Sequence, residues 1–144
     1  VPFQPISKNE AKELIATERK QGSFVTVGWG YNGKVSWICN CDQFCGAHRT
    51  VECPWAMIPS FFVSRLLKPE ACDGCPICAE WCTRPGAIVF GADGRPIIQE
   101  ALCRGCGQCI EHCPKHALGF VPREVYYDVP TRSVKRLPQE ALAL

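Results

Sequence analysis

Cysteines set the chemistry open to this chain, through the run Cys103-Arg-Gly-Cys106-Gly-Gln-Cys109-Ile-Glu-His-Cys113-Pro114. The same internal spacing stands upstream in Cys72-Asp-Gly-Cys75-Pro-Ile-Cys78-Ala-Glu-Trp-Cys82, with each cysteine 31 residues before its counterpart. A [4Fe–4S] cube needs one thiolate on each of four irons, and a tight loop with a cysteine at every third residue can turn three sulfurs toward one cube. The fourth cysteine has by then entered a helix that leads away, so it reaches the neighbouring cube. The expected ligand sets are therefore Cys72, Cys75, Cys78 and Cys113 for one cluster, and Cys103, Cys106, Cys109 and Cys82 for the other.

A third group, Cys39, Cys41, Cys45 and Cys53, lies ahead of these runs with His48 inside it. Its spacing is neither a zinc-ribbon pair of C-x-x-C knuckles nor a ferredoxin run. It is expected to hold a metal, as a third [4Fe–4S] cluster or as zinc; redox-active or merely buried thiols are the other reading.

The elements that must position these cysteines can be read from local signals. Ser7 and Glu10 form a capping-box pattern, opening a helix from about Lys8 to Gln21 that Gly22 can end. Its stripe of Ala11, Leu14 and Ile15 suits packing on its own domain. Two β-branched and aromatic runs, Ser23 to Tyr31 and Lys34 to Ile38, flank Asn32-Gly33 and read as a hairpin, with Gly28 marking a bulge. Beyond the third group, Ser60 to Leu67 reads as a strand. Between the two runs, Gly86 to Phe90 and Pro96 to Ile98 read as a hairpin turned at Gly91 to Gly94, and Ala117 to Val121 as a closing strand. Small residues at Gly74, Ala79, Gly105 and Gly107 would let backbone amides approach a cluster's sulfides.

Residues 72–121 resemble a bacterial two-cluster ferredoxin domain. The resemblance implies an α+β, pseudo-twofold repeat of strand, cluster loop, helix and strand, with two clusters close enough to exchange electrons. One departure is visible. Pro114 follows Cys113 as the family has it, whereas Cys82 is followed by Thr83-Arg84-Pro85-Gly86, one residue longer. The exit turn of the first run should differ, and its ligands should not. The segment around Ile38-Cys-Asn-Cys41 resembles the leader of larger iron–sulfur proteins that carry a cysteine-dense run ahead of such a domain. This chain keeps Cys39, Cys41 and Cys45 but has Asp42 and Phe44 where extra cysteines are common, which argues against thiol exchange. The expected organisation is a small helix-plus-hairpin cysteine-rich domain at 1–59, a two-cluster domain at 60–122 and a tail at 123–144. The tail carries no motif and is expected to be disordered or laid against another subunit.

Composition narrows the field. Twelve cysteines in 144 residues would also suit a disulfide scaffold, but regular C-x-x-C spacing is a metal-ligand pattern and the opening residues have no signal-peptide character. The expected location is the cytoplasm, where thiols stay reduced. A net charge of +2 argues for neither nucleic acid nor membrane. No apolar run is long enough to span a bilayer. There is no phosphate loop, dinucleotide fingerprint or catalytic triad. The expected function is one-electron transfer to a redox partner, as a non-catalytic subunit of a larger oxidoreductase complex. Two alternatives stay open: an enzyme with an open-site cluster at Cys39, Cys41 and Cys45, and a zinc-plus-Fe–S regulatory module.

Overall fold

The computed structural model describes residues 4–29, 34–42, 60–128 and 133–136. Helix α1 spans Lys8–Lys20 and starts where its cap dictates. Ser7 Oγ accepts from the Glu10 amide at 3.2 Å, and the Glu10 carboxylate accepts from the Ser7 amide at 2.7 Å. These bonds from Ser7 hold the Glu10 carboxyl below its usual range. The far end closes as a Schellman turn: the Ser23 amide reaches Glu18 O at 3.0 Å and the Gly22 amide reaches Arg19 O at 3.1 Å. Gly22 sits at φ +95°, and a Cβ there would meet the Trp81 ring at 2.6 Å. This one glycine therefore both ends the helix and lets Trp81 pack beneath it.

The expected apolar stripe does not bury the helix. No residue of α1 is buried, and Leu14 is 49% exposed. Its attachment is instead at the C-terminal end. The buried Gln108 donates from Nε2 to Ser23 O at 2.9 Å, and Arg19 pairs with Glu111 at 3.2 Å.

Strands β1 (Phe24–Trp29) and β2 (Val35–Cys41) form an antiparallel hairpin whose register slips between Gly28 and Trp29, where the glycine interrupts the strand. The Asn32-Gly33 turn lies outside the described residues. Strand β2 runs through Cys41, so Cys39 and Cys41 stand on a strand rather than on the loop expected after it.

The rest is α+β in short pieces. Strand β3 (Phe62–Leu66) is followed by a single 3-10 turn (Pro69–Ala71), the one-turn helix α2 (Ile77–Glu80), β4 (Ile88–Phe90), β5 (Pro96–Ile98), the one-turn helix α3 (Gln108–Glu111) and β6 (Leu118–Pro122). Pairing crosses between the halves of the region, β3 with β6, while β4 pairs with β5, both antiparallel. The buried cluster is Cys78, Ile88, Cys109, Cys113, Ala117 and Leu118. Half of these are cysteines, so the aliphatic core is small and thiols make up much of its centre.

After Val121 the structure departs from the expected tail. Strands β7 (Val125–Asp128) and β8 (Ser133–Arg136) form an antiparallel pair. What ties this pair down is Arg123, which is 6% exposed. Its guanidinium donates to Ser60 O at 2.7 Å, to Glu100 O at 3.0 Å and to Cys103 O. Tyr126 adds an edge-on contact with Phe61, ring centres 4.8 Å apart. The segment thus packs on its own chain.

Candidate metal centres

Each cysteine run is a loop bent by glycine. Gly74 and Gly105 hold equivalent places at φ +78° and +71°, conformations that L side chains rarely adopt. At Gly105 a Cβ would come within 2.2 Å of Phe62 O, so only glycine lets this loop lie against β3. Gly107, at φ +81°, starts α3 under the Phe120 ring. After the loops, α2 and α3 carry Cys78 and Cys109 inward, both buried.

Two cavities result. One is lined by Cys82, Cys103, Cys106 and Cys109, the other by Cys72, Cys75, Cys78 and Cys113. Three sulfurs in each come from one run and the fourth from the other. The spaces are similar, about 320 and 290 Å³ with their mouths included, as two copies of one group would require. No three His, Cys, Asp or Glu side chains among the described residues close round a single metal ion. Thiols ranged round a wider centre instead suit a polynuclear group, in which each sulfur meets a different iron.

Burial pushes the Cys109 thiol up to about 12 and the Cys82 thiol up to about 11. Burial raises Cys78 and Cys75 as well. Alone, these thiols keep their protons at neutral pH; metal ions displace those protons and make the thiolates stable in a dry site. Polar partners are already in place. Cys109 Sγ lies 3.2 Å from Ser64 Oγ and Cys106 Sγ 3.5 Å from Thr83 Oγ1, while the Ala117 amide points at Cys113 Sγ from 3.4 Å. The residues therefore fit a sulfur-ligated iron cluster in both cavities.

The two exit turns differ as the extra residue requires. Positive φ falls on Gly86 after Cys82 but on His116, one place nearer, after Cys113. Each chain segment then reaches a buried alanine, Ala87 or Ala117, both 1% exposed. The longer turn places two buried polar side chains beside the first cavity, Thr83 at 1% and Arg84 at 5% exposure. With Arg104, Arg123 and Ser64 they are what sequence reasoning missed. The signal for Arg84 was the insertion itself.

In the third group, Cys39 faces Thr26 across the hairpin and Cys41 faces Phe24, so the two cysteines share one face. Thr26 Oγ1 lies 3.5 Å from Cys41 Sγ. Cys45, His48 and Cys53 lie outside the described residues. None of the ten described cysteines is in a disulfide.

Residues 96–119 match the family model described as a 4Fe-4S binding domain, and they contain Cys103, Cys106, Cys109 and Cys113. The chain is 47% identical over 36 residues to one subunit of the Na(+)-translocating ferredoxin:NAD(+) oxidoreductase complex of Acetobacterium woodii, covering 25% of this chain and 11% of that protein. It is 41% identical over 51 residues to the formate dehydrogenase iron-sulfur subunit of Haemophilus influenzae, covering 34% of this chain and 16% of that protein. Over 68 residues it is 34% identical to an uncharacterized ABC transporter ATP-binding protein of Methanocaldococcus jannaschii, covering 42% of this chain and 11% of that protein. The chain thus spans no more than 16% of the length of these relatives. Among the described residues no helix is long and apolar enough to cross a membrane.

Proposed function

We propose, from the 4Fe-4S binding-domain match, that this chain is a one-electron relay with two cubane clusters. Cys72, Cys75, Cys78 and Cys113 hold one; Cys103, Cys106, Cys109 and Cys82 hold the other. The observation that carries this reading is the pair of cavities, each taking three cysteines from one run and one from its neighbour. When bound, each cluster accepts and releases one electron at a time. The chain's own part is to hold the thiolates, keep water off the buried sulfurs and aim amides and hydroxyls at them.

A pseudo-twofold, ferredoxin-like arrangement is supported by the crossed strand pairing and by Trp81 and His112. These equivalent residues, each just before an exchanged cysteine, stack at 3.6 Å with their planes 9° apart. The stack lies where the two halves meet, beneath the end of α1.

Two of the similar proteins are named as an oxidoreductase complex subunit and a dehydrogenase iron-sulfur subunit. This favours a role as a non-catalytic subunit feeding a redox partner, in a reducing compartment such as the cytoplasm where thiolate ligands persist. A third [4Fe–4S] centre at Cys39, Cys41, Cys45 and Cys53 belongs to the same reading. Its support is the shared strand face of Cys39 and Cys41.

The relay is tested by anaerobic titration. The iron-loaded chain should take up at least about two electrons and return them to a one-electron acceptor dye, since each cube stores one. A loaded chain that stores none would overturn the relay.

A further inference from the structure

We propose that Ser64 and Thr83 tune the cluster held by Cys82, Cys103, Cys106 and Cys109: their hydroxyls donate to two of its thiolates and make it easier to reduce than the same cluster without them. The proposal rests on the two-cluster reading above.

The two hydroxyls reach the first cavity from either side of the upstream cysteine run. Ser64 stands at the middle of β3, 1% exposed, with Oγ 3.2 Å from Cys109 Sγ. Thr83 follows Cys82 directly and is also 1% exposed, with Oγ1 3.5 Å from Cys106 Sγ. Neither hydroxyl has a second partner among the described residues. The state of the sulfur decides which way these bonds point. A protonated Cys109 donates to Ser64 Oγ, but an iron-bound thiolate has lost that proton and can only accept. A buried hydroxyl that turned away would be left unpaired, so both rotate to donate.

The repeat within the chain supplies a control. Thr83 and Pro114 hold matching places, each directly after an exchanged cysteine and each lining its own cavity. Proline has no donor to offer, and no residue lining the second cavity carries a hydroxyl. The longer exit turn after Cys82 is thus the point where this chain replaces a proline by a donor to sulfur.

Reduction adds one negative charge, spread over irons and sulfurs. Hydrogen bonds to sulfur strengthen as that charge grows, and more so where little water competes. Only the part of each bond that differs between the two oxidation states shifts the equilibrium. Removing one hydroxyl compares the same cluster, at the same burial and among the same charges, with and without one donor. Neither burial nor the charge around the cavity therefore sets the sign of the effect.

The test is an EPR-monitored redox titration of the iron-loaded full chain, with iron content measured first and Cys75→Ser marking the signal of the other site. Thr83→Val, which keeps the shape and removes the hydroxyl, should make the Cys106-bearing cluster harder to reduce by about threefold in equilibrium constant, and Ser64→Ala by about as much. The two bonds fall on separate sulfurs, so the double variant should lose about tenfold, about 59 mV for one electron. Thr83→Ser should keep the wild-type midpoint, and the other cluster should not move in any of these variants. Midpoints unmoved by both single variants, Thr83→Ser shifting as far as Thr83→Val, or both clusters shifting together would overturn the proposal. Loss of iron from Thr83→Val and Ser64→Ala alike would make the two residues structural and overturn it as well. A wild-type chain that never reaches about eight irons would instead overturn the two-cluster reading beneath it.

Discussion

Replacing Cys113 by alanine should strip the cluster whose other ligands are Cys72, Cys75 and Cys78, and leave the cluster of its own run in place. Cys113 follows α3, is 9% exposed and lines the second cavity with the three upstream cysteines. Its nearest donor is the Ala117 amide, on the turn that leads into β6. Asp73, which lines the same cavity, is paired with Lys115 at 3.3 Å, so a cube deprived of one thiolate should lose about four irons per chain. Cys82→Ala should give the converse, since Cys82 lines the first cavity with Cys103, Cys106 and Cys109. EPR spectra of the two variants, set beside those of loop variants such as Cys75→Ser and Cys106→Ser, decide the matter. Loss confined to the cluster of the mutated residue's own run would refute the crossed sets.

Arg123→Ala should release the C-terminal strand pair and weaken the loop that carries Cys103. The guanidinium is buried and satisfies the carbonyls of Ser60, Glu100 and Cys103, three points far from Arg123 in the chain. Removing it leaves those carbonyls without their charged donor, at a cost on the order of 3 kcal/mol. Trypsin should cut slowly after Lys135 and Arg136 in the wild type and much faster in the variant, with faster loss of cluster absorbance. Equal cutting rates would show that Arg123 does not hold this segment.

Much of the local structure was legible because its signals lie within a few residues. A thiolate at every third residue, a serine three places before a glutamate, and a glycine at a helix end each declare their geometry within a few residues. The capping box and the Gly22 turn follow directly, as do the hairpin at Gly91 to Gly94 and the one-residue difference between the exit turns. What escaped depends on partners remote in sequence. Nothing beside Arg123 marks Ser60, Glu100 or Cys103 as its acceptors, so the following segment read as a tail when it is a strand pair. Helix α1 showed an apolar stripe, yet it is tied at its C-terminal end through Gln108 and Arg19, while Leu14 faces solvent. The strand through Cys39 and Cys41 outran its apolar pattern because backbone pairing with Phe24 and Thr26 continues past Ile38, where the apolar run ends. Nothing local in the sequence marks Arg84 and Arg104 as neighbours of the first cavity, where the fold places them.

Iron and acid-labile sulfide per chain, measured after anaerobic reconstitution, test the central claim most directly. Two cubes in the described cavities account for about eight of each, and a third at Cys39, Cys41, Cys45 and Cys53 raises the value to about twelve. The wild type should approach about twelve, and Cys41→Ser should fall to about eight with both ferredoxin-type signals intact. A wild-type value of about eight would end the third centre alone. A value near about four or below, with intact folded protein, would contradict the assignment of one cube to each cavity.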